Sequence, residues 1–412
     1  MTLHIAAPDT QKIQAEIQIT GSKSETNRLL LLQALYPNLE ITNLSNSDDA
    51  EVMQLGLNKS TGVVDVHHAG TAMRFLTAYF ATQPGKAVVL TGSKRMKERP
   101  IKVLVDALAQ LGASISYEAE EGYPPMQIKG RDATGSKVSL PANISSQYIS
   151  ALCMVAPTLK QGLELNLEGK ITSVPYIKMT LALLDEIGVK TNFVGNTITV
   201  YPKEAVQPKT IVVESDWSAA SYFYSVVAMA QVGSEVVLGA YKSNSLQGDS
   251  VLSEIYTQFG VTTVFGAHTI KLKKENQPKL STITLDLANA PDIAQTIAVT
   301  CFGMGFGCHL TGLHTLPIKE TDRLLAMKTE LEKFGAEVAI DHESLTLQPS
   351  NAQPLSDVAV DTYHDHRMAM AFAPLAMKID FQVNDAGVVS KSYPDFWKDF
   401  EKLGFHIHTT ME

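Results

Sequence analysis

Polar openings recur along the chain in front of helix-length apolar runs. They are Ser24-Glu-Thr-Asn-Arg-Leu-Leu-Leu-Leu, Thr71-Ala-Met-Arg-Phe-Leu-Thr-Ala, Ser146-Gln-Tyr-Ile-Ser-Ala-Leu, Ser218-Ala-Ala-Ser-Tyr-Phe, Asp292-Ile-Ala-Gln-Thr-Ile-Ala and His366-Arg-Met-Ala-Met-Ala. A small or acidic residue there reads as an N-cap, accepting from N–H groups that have no partner within the helix. The last five openings start 75, 72, 74 and 74 residues apart, which signals duplication of one unit. Each of these five is followed by a second amphipathic helix ending in an apolar residue and a glycine: Leu111-Gly112, Ile187-Gly188, Phe259-Gly260, Phe334-Gly335 and Leu403-Gly404. Glycine suits the left-handed position after a helix C-terminus. Between the helices lie short β-rich runs such as Ala87-Val-Val-Leu90, Thr197-Ile-Thr-Val200, Thr282-Ile-Thr-Leu285 and Ser344-Leu-Thr-Leu347.

The first unit is cut short. Ser24 to Thr71 is only 47 residues, and a second helix over roughly Asp48 to Leu57 runs almost at once into Val63-Val-Asp-Val66. A strand pair is therefore expected to be missing. Six units of two helices and several strands, split evenly, predict two α/β domains rather than a solenoid, whose repeats are shorter at roughly 20–47 residues.

Charge and cysteine usage narrow the function. With 34 Lys and Arg against 43 Asp and Glu in 412 residues, the net charge of −9 speaks against a nucleic-acid or membrane-surface binder. Cys153, Cys301 and Cys308 are odd in number, lack a CxxC spacing and sit in apolar runs, so they read as buried thiols of a reducing compartment. The first thirty residues lack a signal-like apolar stretch, and a soluble cytoplasmic protein is expected.

Any anionic ligand must then be held by locally gathered cations, and these cluster at the openings. Lys23 and Arg28 flank the first, Arg74 lies in the second and Arg367 begins the sixth. Arg95, Lys97, Arg99, Lys319, Arg323 and Lys391 stand in turn-like segments before second helices. Helix N-termini and arginine forks both suit phosphate or carboxylate. Gly21-Ser-Lys-Ser24 lacks the spaced glycines of a P-loop, and His364-Asp-His366 has no further His or Cys nearby and reads as a helix cap rather than a metal site. Acid–base chemistry falls to carboxylates and lysines. Asp292 at a helix opening and Glu320 beside Lys319 and Arg323 are the candidates, although a capping Asp and a salt-bridged Glu would look the same.

Taken together, Gly21-Ser-Lys-Ser-Glu-Thr-Asn-Arg28, Ala69-Gly-Thr-Ala-Met-Arg74, Arg95-Met-Lys-Glu-Arg-Pro-Ile101, Ser145-Ser-Gln147, Pro317-Ile-Lys-Glu-Thr-Asp-Arg323, Asp365-His-Arg-Met-Ala-Met370 and Lys391-Ser-Tyr-Pro-Asp395 closely resemble the 5-enolpyruvylshikimate-3-phosphate synthases. The resemblance implies two domains, each of three βαβαββ repeats in an inside-out α/β barrel, with the active site in the interdomain cleft. It places one domain over 21–213, the other over 1–20 plus 214–412, and crossings near Thr20 and Val213-Glu214. It implies transfer of the enolpyruvyl group of phosphoenolpyruvate to the 5-hydroxyl of shikimate-3-phosphate, by addition and elimination through a tetrahedral intermediate, without metal or organic cofactor. Such an enzyme is a monomeric, cytoplasmic glyphosate target with no nucleic-acid or membrane partner.

By the same resemblance Asp292 is the base near the 5-hydroxyl, and Glu320, helped by Lys23, handles the methylene proton. Lys23, Ser24, Arg28, Ser145, Ser146, Ser173, Tyr176, Asp292 and Lys319 match positions for shikimate-3-phosphate, and Gln147 lies between both substrates. Lys23, Gly70, Thr71, Arg99, Arg323, Arg367 and Lys391 match the phosphoenolpyruvate pocket. Three departures stand out: His68 for the usual asparagine, Phe75 for the usual proline, and the shortened first unit. Two other readings stay open on the sequence, the sister transferase acting on UDP-N-acetylglucosamine and a non-catalytic repeat protein that binds anions.

Overall fold

Helices with apolar residues on most faces have to be enclosed, and the openings after the first lead into helices of that kind, whereas Lys23–Leu35 buries Glu25, Asn27 and Arg28 beside its leucines. The computed structural model describes residues 1–143, 145–169, 171–279, 281–350 and 355–410. The chain divides into two units, Gly21–Val213 and Met1–Thr20 with Glu214–Glu412. Helices Lys23–Leu35, Gly70–Thr82 and Ser146–Val155 pack together inside the first, with Leu29, Leu31, Phe75, Leu76, Ile149 and Leu152 shut off from solvent. In the second, Trp217–Met229, Ala294–Gly303 and His366–Phe372 do the same. Cys153, Cys301 and Cys308 are buried within these interiors.

Among the described residues five four-stranded sheets share one pattern: a parallel pair followed by two antiparallel neighbours. In unit Gly21–Val213 these run Thr61–Asp65, Ala87–Thr91, Met126–Lys129, Ser114–Tyr117 and Lys137–Pro141, Leu163–Glu168, Thr197–Val200, Thr191–Val194. The third sheet there is only the parallel pair Lys209–Val212 with Leu39–Thr42. It ends where a hairpin would come next, because helix Asp48–Leu57 passes directly to strand Thr61–Asp65. The segment absent from the short first repeat is therefore the antiparallel hairpin.

The described residues of the other unit form three full sheets. They are Gln14–Ile17, Glu235–Gly239, Thr269–Lys274, Val261–Phe265; Thr282–Asp286, Gly307–Thr311, Leu345–Leu347, Val338–Ile340; and Ala359–Val360, Phe381–Val383, Leu3–Ala6, His406–Thr409. The N-terminal strand Leu3–Ala6 fills the third place of the last sheet, and Gln14–Ile17 opens the first beside Glu235–Gly239.

After the second helices, Gly112, Gly188, Gly260, Gly335 and Gly404 all take positive φ, between 76° and 95°, where a Cβ would be strained. The caps fall upstream of the residues read from sequence. Ser145, Asp216 and Asp365, not Ser146, Ser218 and His366, accept the N–H bonds, because a capping oxygen must stand outside the first turn to reach back into it. Ala69 and Ser22 precede the Gly70 and Lys23 helices without side-chain caps. Asp292 sits inside the 3-10 turn Pro291–Ile293, which leaves its carboxylate free for other partners. Among the described residues no helix is long and apolar enough to cross a membrane.

Candidate active site

In unit Gly21–Val213 the chemistry gathers where the buried helices begin. Arg28 lies one turn into Lys23–Leu35 and is 2% exposed. Its guanidinium donates to Thr180 Oγ1 at 2.8 Å, the Ser24 carbonyl at 2.7 Å, Ser150 Oγ at 3.1 Å and the Tyr176 carbonyl at 3.4 Å. All four acceptors are neutral. Burial outweighs the nearby Tyr176 and Glu25 and pulls its pKa down to about 10. Phe75 lies under the same group, its ring 5.4 Å from the guanidinium carbon, and Tyr176 is 5.9 Å away. The proline-to-phenylalanine departure thus faces Arg28.

A second set joins the next two helix starts. Gln147 Nε2 donates to Thr71 Oγ1 at 3.1 Å, and Ser145 Oγ accepts from the Gln147 N–H. Gly70 opens its helix against Arg99, and a Cβ added there would stand 2.7 Å from Arg99 Nη1. Arg74, 4% exposed, donates to the Gly70 and Pro100 carbonyls and so ties the two sides of that contact together. Ser173 precedes helix Val174–Glu186 in a left-handed conformation. Lys23 pairs with Asp49 at 3.2 Å. Its proposed coworker Glu320 belongs to the other unit, where its partners are Arg323 and Lys391.

The other unit holds a network of alternating charge. Arg323, the first residue of helix Arg323–Lys333 and 2% exposed, bonds three carboxylates: Asp365 at 2.7 Å, Glu320 at 2.8 Å and Asp292 at 3.0 Å. Asp292 also meets Arg367 at 3.2 Å and Lys319 at 3.5 Å, and Lys391 reaches Glu320 at 3.2 Å. Burial alone would raise the Asp292 pKa, but Arg367, Lys319 and Arg323 outweigh it and hold the carboxyl well below the usual range. Asp292 and its neighbours raise Arg323 and Arg367 in return, against their own burial.

This network extends to two residues that sequence reasoning missed. Arg367 donates to Ser218 Oγ at 3.3 Å, and Ser218 donates to Asp249 Oδ2. Asp249 is 3% exposed, its Oδ1 has no partner among the described residues, and burial with the nearby Asp292 charge pushes its pKa up to about 7. Asp249 stands in a loop turn with no periodic signal. Asp365 was legible only as part of the Asp365-His-Arg motif, and its bond to Arg323 spans 42 residues.

The geometry thus unites Asp292, Lys319, Glu320, Arg323, Arg367 and Lys391 in one unit. In the other it links Ser24, Arg28 and Tyr176, Thr71, Ser145 and Gln147, and sets Gly70 against Arg99; Ser146 opens its helix beside Ser145. Among the described residues no group of three or more His, Cys, Asp or Glu is arranged to hold a metal ion.

Against known proteins, the family model described as EPSP synthase (3-phosphoshikimate 1-carboxyvinyltransferase) matches residues 8–400. A 3-phosphoshikimate 1-carboxyvinyltransferase of Bacteroides fragilis (strain YCH46) is 42% identical over 411 residues, covering 99% of each chain. One from Histophilus somni (strain 2336) is 35% identical and covers 95% of this chain and 97% of its own. A solved structure of EPSP synthase from Acinetobacter baumannii superposes with a TM-score of 0.80 at 19% identity, over 99% of this chain and all of that one, a likeness of fold.

Proposed function

The chain belongs to the EPSP synthase family, and from that premise we propose that it transfers the enolpyruvyl group of phosphoenolpyruvate to the 5-hydroxyl of shikimate-3-phosphate and releases phosphate. The observation that carries the chemistry is Asp292, a carboxylate held by Arg323, Arg367 and Lys319 within reach of Glu320 through their shared arginine. Lys23, Ser24, Arg28, Ser145, Ser146, Gln147, Ser173, Tyr176 and Lys319 are assigned to shikimate-3-phosphate. Lys23, Gly70, Thr71, Arg99, Gln147, Arg323, Arg367 and Lys391 are assigned to phosphoenolpyruvate.

In the addition step Glu320 delivers a proton to the methylene carbon while the 5-hydroxyl oxygen bonds to the adjacent carbon and gives its proton to Asp292. Elimination returns these protons in reverse: the new methyl group loses one to the Glu320 side, and phosphate departs with the other. Free Asp292 is a weak base, because three cations hold its charge. A phosphoenolpyruvate anion drawing Arg323 and Arg367 to itself takes that support away, so the proton affinity of Asp292 rises as the reaction needs it. Basicity is thus tied to occupancy.

Purified protein should release phosphate from phosphoenolpyruvate when shikimate-3-phosphate is present and not with UDP-N-acetylglucosamine. Release at equal rates with both acceptors, or with neither, refutes the reading. The same reading makes the protein a cytoplasmic monomer working on free small molecules, which sedimentation of the purified protein and fractionation of cells would check.

A further inference from the structure

We propose that Glu330 and Tyr363 are positioning residues, which hold a strained turn that aims Arg367. The inference rests on the assignment of Arg367 to phosphoenolpyruvate. Among the described residues neither bonds to a member of the charged network itself. Helix Arg323–Lys333 presents Arg323 to that network at its start and Glu330 two turns further on.

The turn between strand Ala359–Val360 and helix His366–Phe372 contains two consecutive non-glycine residues in the left-handed region, Tyr363 and His364, each with φ of 54°. A Cβ disfavours that conformation, so two in succession persist only where the surroundings impose them. Glu330 does so. Its side chain is fully buried and accepts from Tyr363 Oη at 2.5 Å and the Asp361 N–H at 3.0 Å, with Lys333 paired at 2.7 Å. The Thr362 carbonyl then accepts from the Asp365 N–H at 2.8 Å and closes the turn.

Immediately beyond the turn lie the residues of the charged network. Asp365 caps its helix by accepting from the Arg367 N–H at 2.9 Å and bonds Arg323 at 2.7 Å. On the outer side of the turn His364 Nδ1 lies 2.9 Å from Asp385, which is also left-handed with φ of 51° and leads into the turn Ala386–Lys391. One strained turn therefore sets the backbone of Arg367 and touches the segment that carries Lys391.

An ordinary structural anchor would show up in stability alone, so the test compares two substitutions at one position in the full-length protein. Tyr363→Phe keeps the strained Cβ and loses the hydroxyl that holds it. Tyr363→Gly loses more contact but accepts a φ of 54° without steric cost. With phosphate release as the assay, Tyr363→Phe should raise the KM for phosphoenolpyruvate about threefold to tenfold, the equivalent of one lost hydrogen bond, and leave the KM for shikimate-3-phosphate unchanged. Glu330→Gln should act in the same direction, and Tyr363→Gly should lie nearer wild type than Tyr363→Phe. Unchanged kinetics in Tyr363→Phe and Glu330→Gln, or Tyr363→Gly worse than Tyr363→Phe in step with a lower melting temperature, overturns the inference. Wild-type protein that releases no phosphate with shikimate-3-phosphate would instead sink the parent reading.

Discussion

The two units hold their most buried site arginines, Arg323 and Arg28, in opposite ways. In the unit with Glu214–Glu412 every cation of the network already faces a carboxylate: Arg323 has three, Arg367 and Lys319 share Asp292, and Lys391 has Glu320. In unit Gly21–Val213 the buried Arg28 bonds only neutral oxygens among the described residues and has its pKa pulled down by burial. An anion arriving at the first network exchanges one carboxylate for another, so its net gain is small and its effect on the displaced carboxylate is large. An anion arriving at Arg28 finds a desolvated charge whose cost has already been met, so its gain is binding. On the assignments proposed above, the contrast divides the labour, with catalysis in the carboxylate-paired network and shikimate-3-phosphate affinity at Arg28.

The strongest challenge to that contrast is Asp292→Asn. It keeps the shape and removes the base, so kcat should fall about 10²-fold to 10⁴-fold, while the KM for phosphoenolpyruvate stays level or drops because the cations are freed. Steady-state kinetics with each substrate varied would show it, and a KM that rises in step with the loss of kcat would erase the distinction. Next in size is Arg28→Ala, which should weaken shikimate-3-phosphate about tenfold to a hundredfold with kcat at saturation little changed. Equal weakening of both substrates would mean that Arg28 does not discriminate between them.

The smallest effect concerns Asp249, an acid whose pKa stands near 7 in the folded protein and at 3.8 otherwise. The folded state holds the extra proton, so this contribution to stability is full at acidic pH and is lost as pH rises through the window between those values. Asp249→Asn mimics the protonated form. Its melting midpoint should exceed wild type by a few degrees at pH 8 and match it near pH 4, measured by circular dichroism at both. An equal gap at the two pH values would remove Asp249 from the titrating network.

Legibility in the sequence depends on how local each signal is. Polar openings and terminal glycines act within a turn, so the repeat, the left-handed glycines and the short first unit were all readable, and Gly112 and Gly335 stand at φ of 87° and 91°. The caps slipped by one or two residues because the N–H bond looks backwards from the helix it serves. The motif residues Arg28, Asp292, Glu320 and Arg323 were readable as candidates. Their company was not: Asp249 and Glu330 owe their positions to bonds with Ser218 and Tyr363, 31 and 33 residues away. No spacing rule predicts such pairs, since they exist only once the sheets have brought the loops together.

The strand Leu3–Ala6 has a consequence for how the protein is made. During synthesis the whole of Gly21–Val213 is available as soon as Val213 has left the ribosome, and every strand in its sheets can find its neighbour. Leu3–Ala6 is made before that unit, yet its neighbours Phe381–Val383 and His406–Thr409 are made well after it. That strand is thus a late joiner, and its sheet closes only after nearly the whole of both units has been made. A chain permuted to begin at Gly21, with Met1–Thr20 moved behind Thr409, would translate those strands consecutively and shorten the wait.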